Sequence, residues 1–212
     1  NVWPTPEIPP EADFVSGVEQ TVVDLNETTG DGTWKFLFES PEGVPLPTEE
    51  NQDFDFTQWT DKDWQPVIVP GELVMQGFDI GNNTEYYYQR TLTIPEDYAG
   101  KRVLLRFDGV YSDARVWVDS HYIRSHTGGF TTWDCDITGY ALPGQTITLT
   151  VGVADLEDNQ QGTYNPDGSQ MLGDPSWASF YAHHNVGGIL RDVSLLALPK
   201  DYIARVYTGT DF

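Results

Sequence analysis

Residues 107–138 decide the fold of this chain; they read FDGVYSDARVWVDSHYIRSHTGGFTTWDCDIT. Two short runs within this stretch, residues 114–118 and 122–125, are rich in β-branched and aromatic side chains and flank a two-residue turn. This pattern is typical of a β-hairpin. A Gly-Gly-Phe segment at 128–130 and an Asp-Ile-Thr segment at 136–138 follow. We therefore expect antiparallel β-structure around this hairpin.

Similar short runs continue on both sides of the hairpin. Residues 146–153 alternate apolar and polar side chains with a period of two, as a strand with one buried face does. No segment has the apolar periodicity of a helix over three turns. The sequence predicts an all-β chain that folds as an antiparallel β-sandwich of jelly-roll type. Outside the hairpin, the expected strands span residues 22–25, 34–38, 67–69, 88–94, 102–107, 146–153, 189–198 and 202–208.

The composition limits the classes of partner. The 212 residues include 33 Asp and Glu against 11 Lys and Arg, which gives a formal charge of −22. This charge repels nucleic-acid phosphates and anionic membrane surfaces, so we expect neither as a partner. It is compatible with high solubility, with a salt-adapted setting and with an extracellular one. Aromatic residues make up 13% of the chain, which indicates a folded core.

The sequence offers little for a metal or a cofactor. Cys135 is the only cysteine, so an internal disulfide and a cysteine-based zinc site are excluded. Its alternating surroundings predict a small buried group in preference to a nucleophile. Asp155, Glu157 and Asp158 could together hold calcium, or they could form a solvated acidic loop. We expect no cofactor.

Two irregular stretches, residues 71–87 and 155–188, interrupt the succession of strands. Loops of this length in a compact domain are commonly functional. The second stretch mixes aromatic rings with Asn, Asp and Gln, a combination that suits sugars because rings stack on C–H faces while amides and carboxylates bind hydroxyls. The alternative is that these aromatic rings fasten the loop to the sandwich.

Three sets of motifs resemble one known family. The central stretch contains Gly-Val, Ala-x-Val-Trp-Val, His-x-Gly-Gly-Phe and Asp-Ile-Thr elements in order, and a Gly-Ile-x-Arg-x-Val-x-Leu element spans residues 188–195. A Val-Pro-Gly element at 69–71 precedes Tyr-Tyr-Gln-Arg-Thr at 87–91. Together they resemble the N-terminal sugar-binding, jelly-roll domain of glycoside hydrolase family 2, which includes β-galactosidases, β-glucuronidases and β-mannosidases.

The resemblance implies a non-catalytic, galactose-binding-domain-like module whose loops contribute to the substrate pocket of a (β/α)₈ barrel. The implied partners are a β-glycoside and the downstream immunoglobulin-like and barrel domains of a parent chain. We expect an extended arm at residues 1–20, the jelly roll at 21–200 and a lead-in to the next domain at 201–212. The chain departs from the pattern at Ala182, where some β-galactosidases have an Asp, and at Asp119-Ser120, where Asn-Gly is usual.

The expected substrate-binding residues lie in the two irregular stretches. A loose match to the family places Asn83 or Glu85 at the active site, and turn chemistry is the alternative for Asn83. His183, His184 and Trp177 are the candidates in the longer stretch. Adjacent histidines on an extended segment point to opposite faces, so we do not expect them to share a metal ion.

Asp134 and Asp136 invite a catalytic interpretation, because on a strand they share one face about 7 Å apart. Inverting glycosidases place two carboxyls about 6.5–9.5 Å apart. However, the Asp-Ile-Thr pattern gives Asp136 a structural role in binding backbone N–H groups. We therefore predict no catalytic residue in this chain. A free-standing carbohydrate-binding module and a purely structural domain remain the alternative functions.

Overall fold

The computed structural model describes residues 21–26, 33–38, 45–48, 52–60, 64–81, 84–155 and 187–202. In these ranges the regular structure is almost entirely β, with only three-residue 3₁₀ turns at Phe56–Gln58, Val74–Gln76 and Glu96–Tyr98. No helix in the described ranges has the length and apolarity to cross a membrane. The strands are β1 (Thr21–Asp24), β2 (Lys35–Leu37), β3 (Gln65–Pro66), β4 (Glu85–Thr93), β5 (Arg102–Phe107), β6 (Val110–Tyr111), β7 (Asp113–Val118), β8 (His121–Thr127), β9 (Trp133–Asp136), β10 (Thr146–Ala154), β11 (Gly188–Ile189) and β12 (Val193–Leu198).

The strands form two main antiparallel sheets. One has the order β1-β12-β5-β9, and the other has the order β3-β2-β4-β10-β7-β8. A small pair, β11 with β6, lies at one end. Alternate residues along the long strands point inward, and side chains such as Tyr88, Val116 and Val151 are buried in one core between the sheets. The predicted antiparallel β-sandwich is confirmed.

The central hairpin forms as the sequence predicts. β7 and β8 pair through Val118 and His121, which leaves Asp119-Ser120 as the two-residue turn. Asp119 has a φ of 54°, a left-handed conformation that Asp tolerates better than most residues. Its carboxylate accepts a hydrogen bond from Thr148 N at 2.8 Å, and its own N–H donates to Thr148 O at 2.7 Å. The turn is thereby fastened to the neighbouring strand β10.

The predicted strand at residues 67–69 is wrong. Ile68 bonds to a side chain instead of a strand: its N–H donates to Gln76 Oε1 at 2.8 Å, and its carbonyl accepts from Gln76 Nε2 at 3.0 Å. The amide of Gln76 therefore occupies the place of a neighbouring strand. The strand in this region is the two-residue β3, immediately before. The expected strand at 202–208 lies almost wholly outside the described residues.

Residues 52–60, which lie between the expected strands at 34–38 and 67–69, pack on the outer face of the six-stranded sheet. Phe54, Phe56 and Trp59 are at most 8% exposed and form a second hydrophobic cluster with sheet residues. The aromatic ring of Trp117 in β7 lies 5.3 Å from that of Phe56. The sheet is consequently covered on both faces here, which the alternating pattern of its strands does not reveal.

Candidate functional site

The described bases of both irregular stretches lie at one end of the sandwich, and we call it the loop end. β4 and β7 begin there, and their antiparallel neighbour β10 ends there, at Ala154. The described part of the first stretch leads into β4, and Gly187 leads into β11. Antiparallel pairing therefore brings together segments that are about 100 residues apart in the sequence.

The bases of the two stretches are joined by backbone hydrogen bonds. Gly71 N donates to Ile189 O at 2.9 Å, and Leu73 N donates to Gly187 O at 3.0 Å. Glu72, between them, accepts from Met75 N at 2.6 Å. Its other oxygen accepts from Val74 N at 3.0 Å and lies 3.4 Å from Gly187 N. The first stretch is thus held in a fixed position against the start of β11.

Glycine is required where these segments meet. Gly188 has a φ of +121°, and a Cβ there would lie 2.6 Å from the hydroxyl of Tyr88 and 3.1 Å from the carbonyl oxygen of Gly71. Both the backbone conformation and the space exclude other residues. The Gly-Ile element of the sequence therefore marks a close approach of β11 to the first irregular stretch.

Tyr111 and Phe130 form an aromatic corner of the loop end. Tyr111 is 2% exposed, and burial, with Asp155 and Asp113 nearby, raises the pKa of its hydroxyl to about 12. Phe130 is 59% exposed and contacts Tyr111 edge-on, with 5.5 Å between ring centroids. The sequence analysis does not single out Phe130 as a binding residue, although the Gly-Gly-Phe motif is a signal for it. An exposed ring on a rigid support suits stacking on a sugar.

Glu85 is the one predicted substrate-binding residue within the described ranges. Its carboxylate accepts from Arg115 Nε at 2.7 Å and also from Arg115 Nη2 and the hydroxyl of Tyr87. The Arg115 guanidinium also lies over the ring of Trp117, 4.9 Å from its centroid, and contacts Pro47 O at 3.3 Å. These contacts favour a structural role for Glu85, and its predicted contact with a substrate stays a prediction.

The other predicted residues, Asn83, Trp177, His183 and His184, lie outside the described residues. So do Glu157 and Asp158, which the sequence offers as calcium ligands with Asp155. Across the described ranges, no three His, Cys, Asp or Glu side chains cluster as metal ligands would.

The acidic pair on β9 is neutralised by arginines of the neighbouring strand β5. Asp134 forms a two-point ion pair with Arg106, with both N–O distances 2.8 Å. Asp136 accepts from Arg102 Nε at 2.9 Å, from Thr138 N at 3.0 Å and from the Thr138 hydroxyl at 2.6 Å. Partial burial acts to raise the pKa of Asp136, but the Thr138 and Arg102 contacts outweigh it and lower the pKa. Neither carboxylate is arranged as a glycosidase acid.

Cys135, between these aspartates, points into the core and is fully buried. Burial raises the pKa of its thiol to about 12, so the thiolate that a nucleophile needs is not formed at neutral pH. The buried position that its alternating surroundings predict is confirmed.

Fold and motifs together define the class of protein. The chain matches the family described as "Glycosyl hydrolases family 2, sugar binding domain" over residues 28–199 and belongs to that family. The similar curated proteins include a β-galactosidase of Thermoanaerobacter pseudethanolicus, 30% identical over 125 residues, and one of Photobacterium profundum, 28% identical over 199 residues. They align with 59% and 85% of this chain, respectively, but the chain spans only 15% and 17% of their lengths.

Solved structures of longer proteins also share the fold of this chain. A β-glucuronidase from Faecalibacterium prausnitzii is 28% identical with a TM-score of 0.56; the match covers 86% of this chain and 32% of that protein. A β-glucuronidase from an uncultured Clostridium species has a TM-score of 0.59 at 23% identity, which supports the fold alone; that match covers 85% of this chain and 29% of the other. In both comparisons, the chain corresponds to a minor part of a longer protein.

Proposed function

We propose that the loop end supplies one wall of a β-glycoside-binding site in a family 2 hydrolase of the β-galactosidase or β-glucuronidase type. The observation that carries the proposal is the pair of backbone hydrogen bonds from Gly71 and Leu73 to Ile189 and Gly187. They fix the bases of both irregular stretches side by side at one end of a rigid sandwich. A preorganised site on rigid elements is what substrate positioning requires.

Bond cleavage is assigned to another part of the protein. The paired carboxylates that glycoside hydrolysis needs are not offered by Asp134 and Asp136, since each is held by its own arginine. The proposed partners are therefore a downstream immunoglobulin-like domain and a (β/α)₈ barrel that carries the catalytic acids. In this arrangement residues 1–20 form an arm, 21–200 the sugar-binding domain and 201–212 the lead-in to the next domain.

The aromatic corner offers the most direct test of this proposal. The exposed ring of Phe130 stacks on the apolar face of the glycoside, while Tyr111 supports it from behind. Asn83, His183, His184 and Trp177 are proposed as further contacts of the same wall. Contacts that stabilise the bound substrate and the transition state equally change KM and leave kcat nearly constant.

The experiment compares the complete gene product with the 212-residue chain on 4-nitrophenyl β-galactoside and β-glucuronide. We expect the complete product to cleave one of them and the chain alone to cleave neither. In the complete product, Phe130→Ala should raise KM about fivefold or more, as expected when a sugar–ring contact is lost. The matched control is Leu142→Ala, which removes a side chain that is 62% exposed and lies near the opposite end of the sandwich. Turnover by the chain alone, or equal KM values for both variants, would overturn the proposal.

A further inference from the structure

A cleft of about 380 Å³ lies on the outer face of the six-stranded sheet, away from the loop end. Its floor includes Lys35, Gln89 and Thr148, which lie on neighbouring strands β2, β4 and β10. The segment at 56–60, which covers part of this sheet, forms one wall, and the turn residue Asp119 lies at the rim. A volume of this size falls in the range of small-ligand sites.

The cleft and the loop end are separate places on the molecule. Thr148 is six residues before Ala154 on the same strand, and a strand advances about 3.3 Å per residue, so the two lie about 20 Å apart. One monosaccharide cannot contact both. A ligand in the cleft is therefore a second ligand, and the inference does not depend on the proposed function of the loop end.

The floor of the cleft presents mixed hydrogen-bonding groups. Gln89 is held in place because its Nε2 donates to Thr150 Oγ1 at 3.1 Å, and its carbonyl oxygen is an acceptor. The Thr148 hydroxyl is both a donor and an acceptor, and the Lys35 ammonium is a donor. The ammonium lies over Trp64, 5.0 Å from the ring centroid, which fixes its position beside the cleft. Alternating donors and acceptors match the hydroxyl groups of a sugar.

The wall adds the aromatic ring of Trp59. Trp59 is 4% exposed, and within the described residues no acceptor is found for its buried indole Nε1–H. This nitrogen is itself enclosed, so a ligand in the cleft contacts the part of the Trp59 ring that lines the wall, as an aromatic ring contacts the C–H face of a sugar.

The charges favour a neutral ligand. Among the described residues that line the cleft, one is cationic, Lys35, and one is anionic, Asp119, whose carboxylate is already bonded to Thr148 N. The formal charge of −22 on the whole chain disfavours the approach of an acidic glycan. From these observations we infer that the cleft binds a neutral saccharide through Gln89, Thr148 and Trp59, as a second carbohydrate site remote from the loop end.

The test is a ¹H–¹⁵N titration of the 212-residue chain with lactose and, separately, with cellobiose. The reporter is the indole cross-peak of Trp59, assigned by its loss in Trp59→Phe. We expect a saturable shift of this peak with at least one of the two disaccharides. Thr148→Val should weaken binding about fivefold through the loss of one hydrogen bond.

Thr146→Val is the matched control, because it removes the same group two residues away on the same face of β10, outside the cleft. It should leave the affinity unchanged, and Lys35→Met provides a second variant that should weaken binding. The inference would be overturned if neither sugar produced a saturable shift of the Trp59 peak. So would equal affinities for Thr148→Val and Thr146→Val. Shifts confined to residues 187–189 would support the proposed loop-end site and overturn the cleft.

Discussion

Glu85 in β4 and Arg115 in β7 form an ion pair across the intervening strand β10, and only glycine at position 152 leaves room for it. A Cβ on Gly152 would lie 2.5 Å from Glu85 Oε1. The side chains of Glu85 and Arg115 are 11% and 13% exposed, and the hydroxyl of Tyr87 donates to the same carboxylate. The pair therefore ties together three strands at the loop end.

Glu85→Gln should lower the free energy of unfolding by about 3 kcal/mol, because it leaves the Arg115 guanidinium without its counter-charge in a mostly buried site. Glu96→Gln, at an exposed position, should change it by less than about 0.5 kcal/mol. Urea denaturation of both variants at pH 7 measures the difference. A Glu85→Gln variant as stable as the parent would show that the pair is not a structural tie.

Gly129→Ala should destabilise the fold by about 1–3 kcal/mol, because the added Cβ would lie 2.4 Å from Tyr111 Cδ2 and force the aromatic corner apart. Gly139→Ala is the control, since a Cβ there meets nothing within 4 Å. It should be neutral or slightly stabilising. Thermal unfolding followed by circular dichroism compares the two, and equal Tm values would contradict the close packing of Gly129 on Tyr111.

Asp136→Asn should cost about 1 kcal/mol at pH 7, a modest value because the side chain is 43% exposed and its ion pair is screened by solvent. The pKa of Asp136 is lower in the folded state than in the unfolded chain. Its contribution is thus complete above the unfolded pKa of about 3.9 and disappears as the pH falls through the folded value. The stability difference between parent and variant should shrink below about pH 4. Denaturant titrations from pH 7 to pH 2.5 test this, and a constant difference across that range would refute it.

Phe56→Ala should destabilise the protein by about 3–5 kcal/mol, because Phe56 is 5% exposed and packs against Trp59, Tyr87 and Trp117. Met75→Ala, at a side chain that is 86% exposed, should have almost no effect. Urea unfolding gives both values. A small loss for Phe56→Ala would mean that residues 52–60 are a peripheral loop that adds little to the stability of the sandwich.

The strand succession and the family motifs could be read from the sequence because both are local. A period of two over residues 146–153 fixes which side chains face the core, and β5 is found at its predicted bounds, Arg102–Phe107. The Asp-Ile-Thr pattern likewise predicts the bonds from Thr138 to Asp136, since the two residues are neighbours in the chain.

The sequence alone determined that this chain is an antiparallel sandwich of family 2 type. Tertiary structure alone decided that Arg106 and Arg102 neutralise the acidic pair on β9, that residues 52–60 cover the outer face of a sheet, and that Gly71 meets Ile189. These contacts join residues far apart in the chain. Alternation specifies which face of a strand is buried, but it carries no information on which distant segment lies against that face.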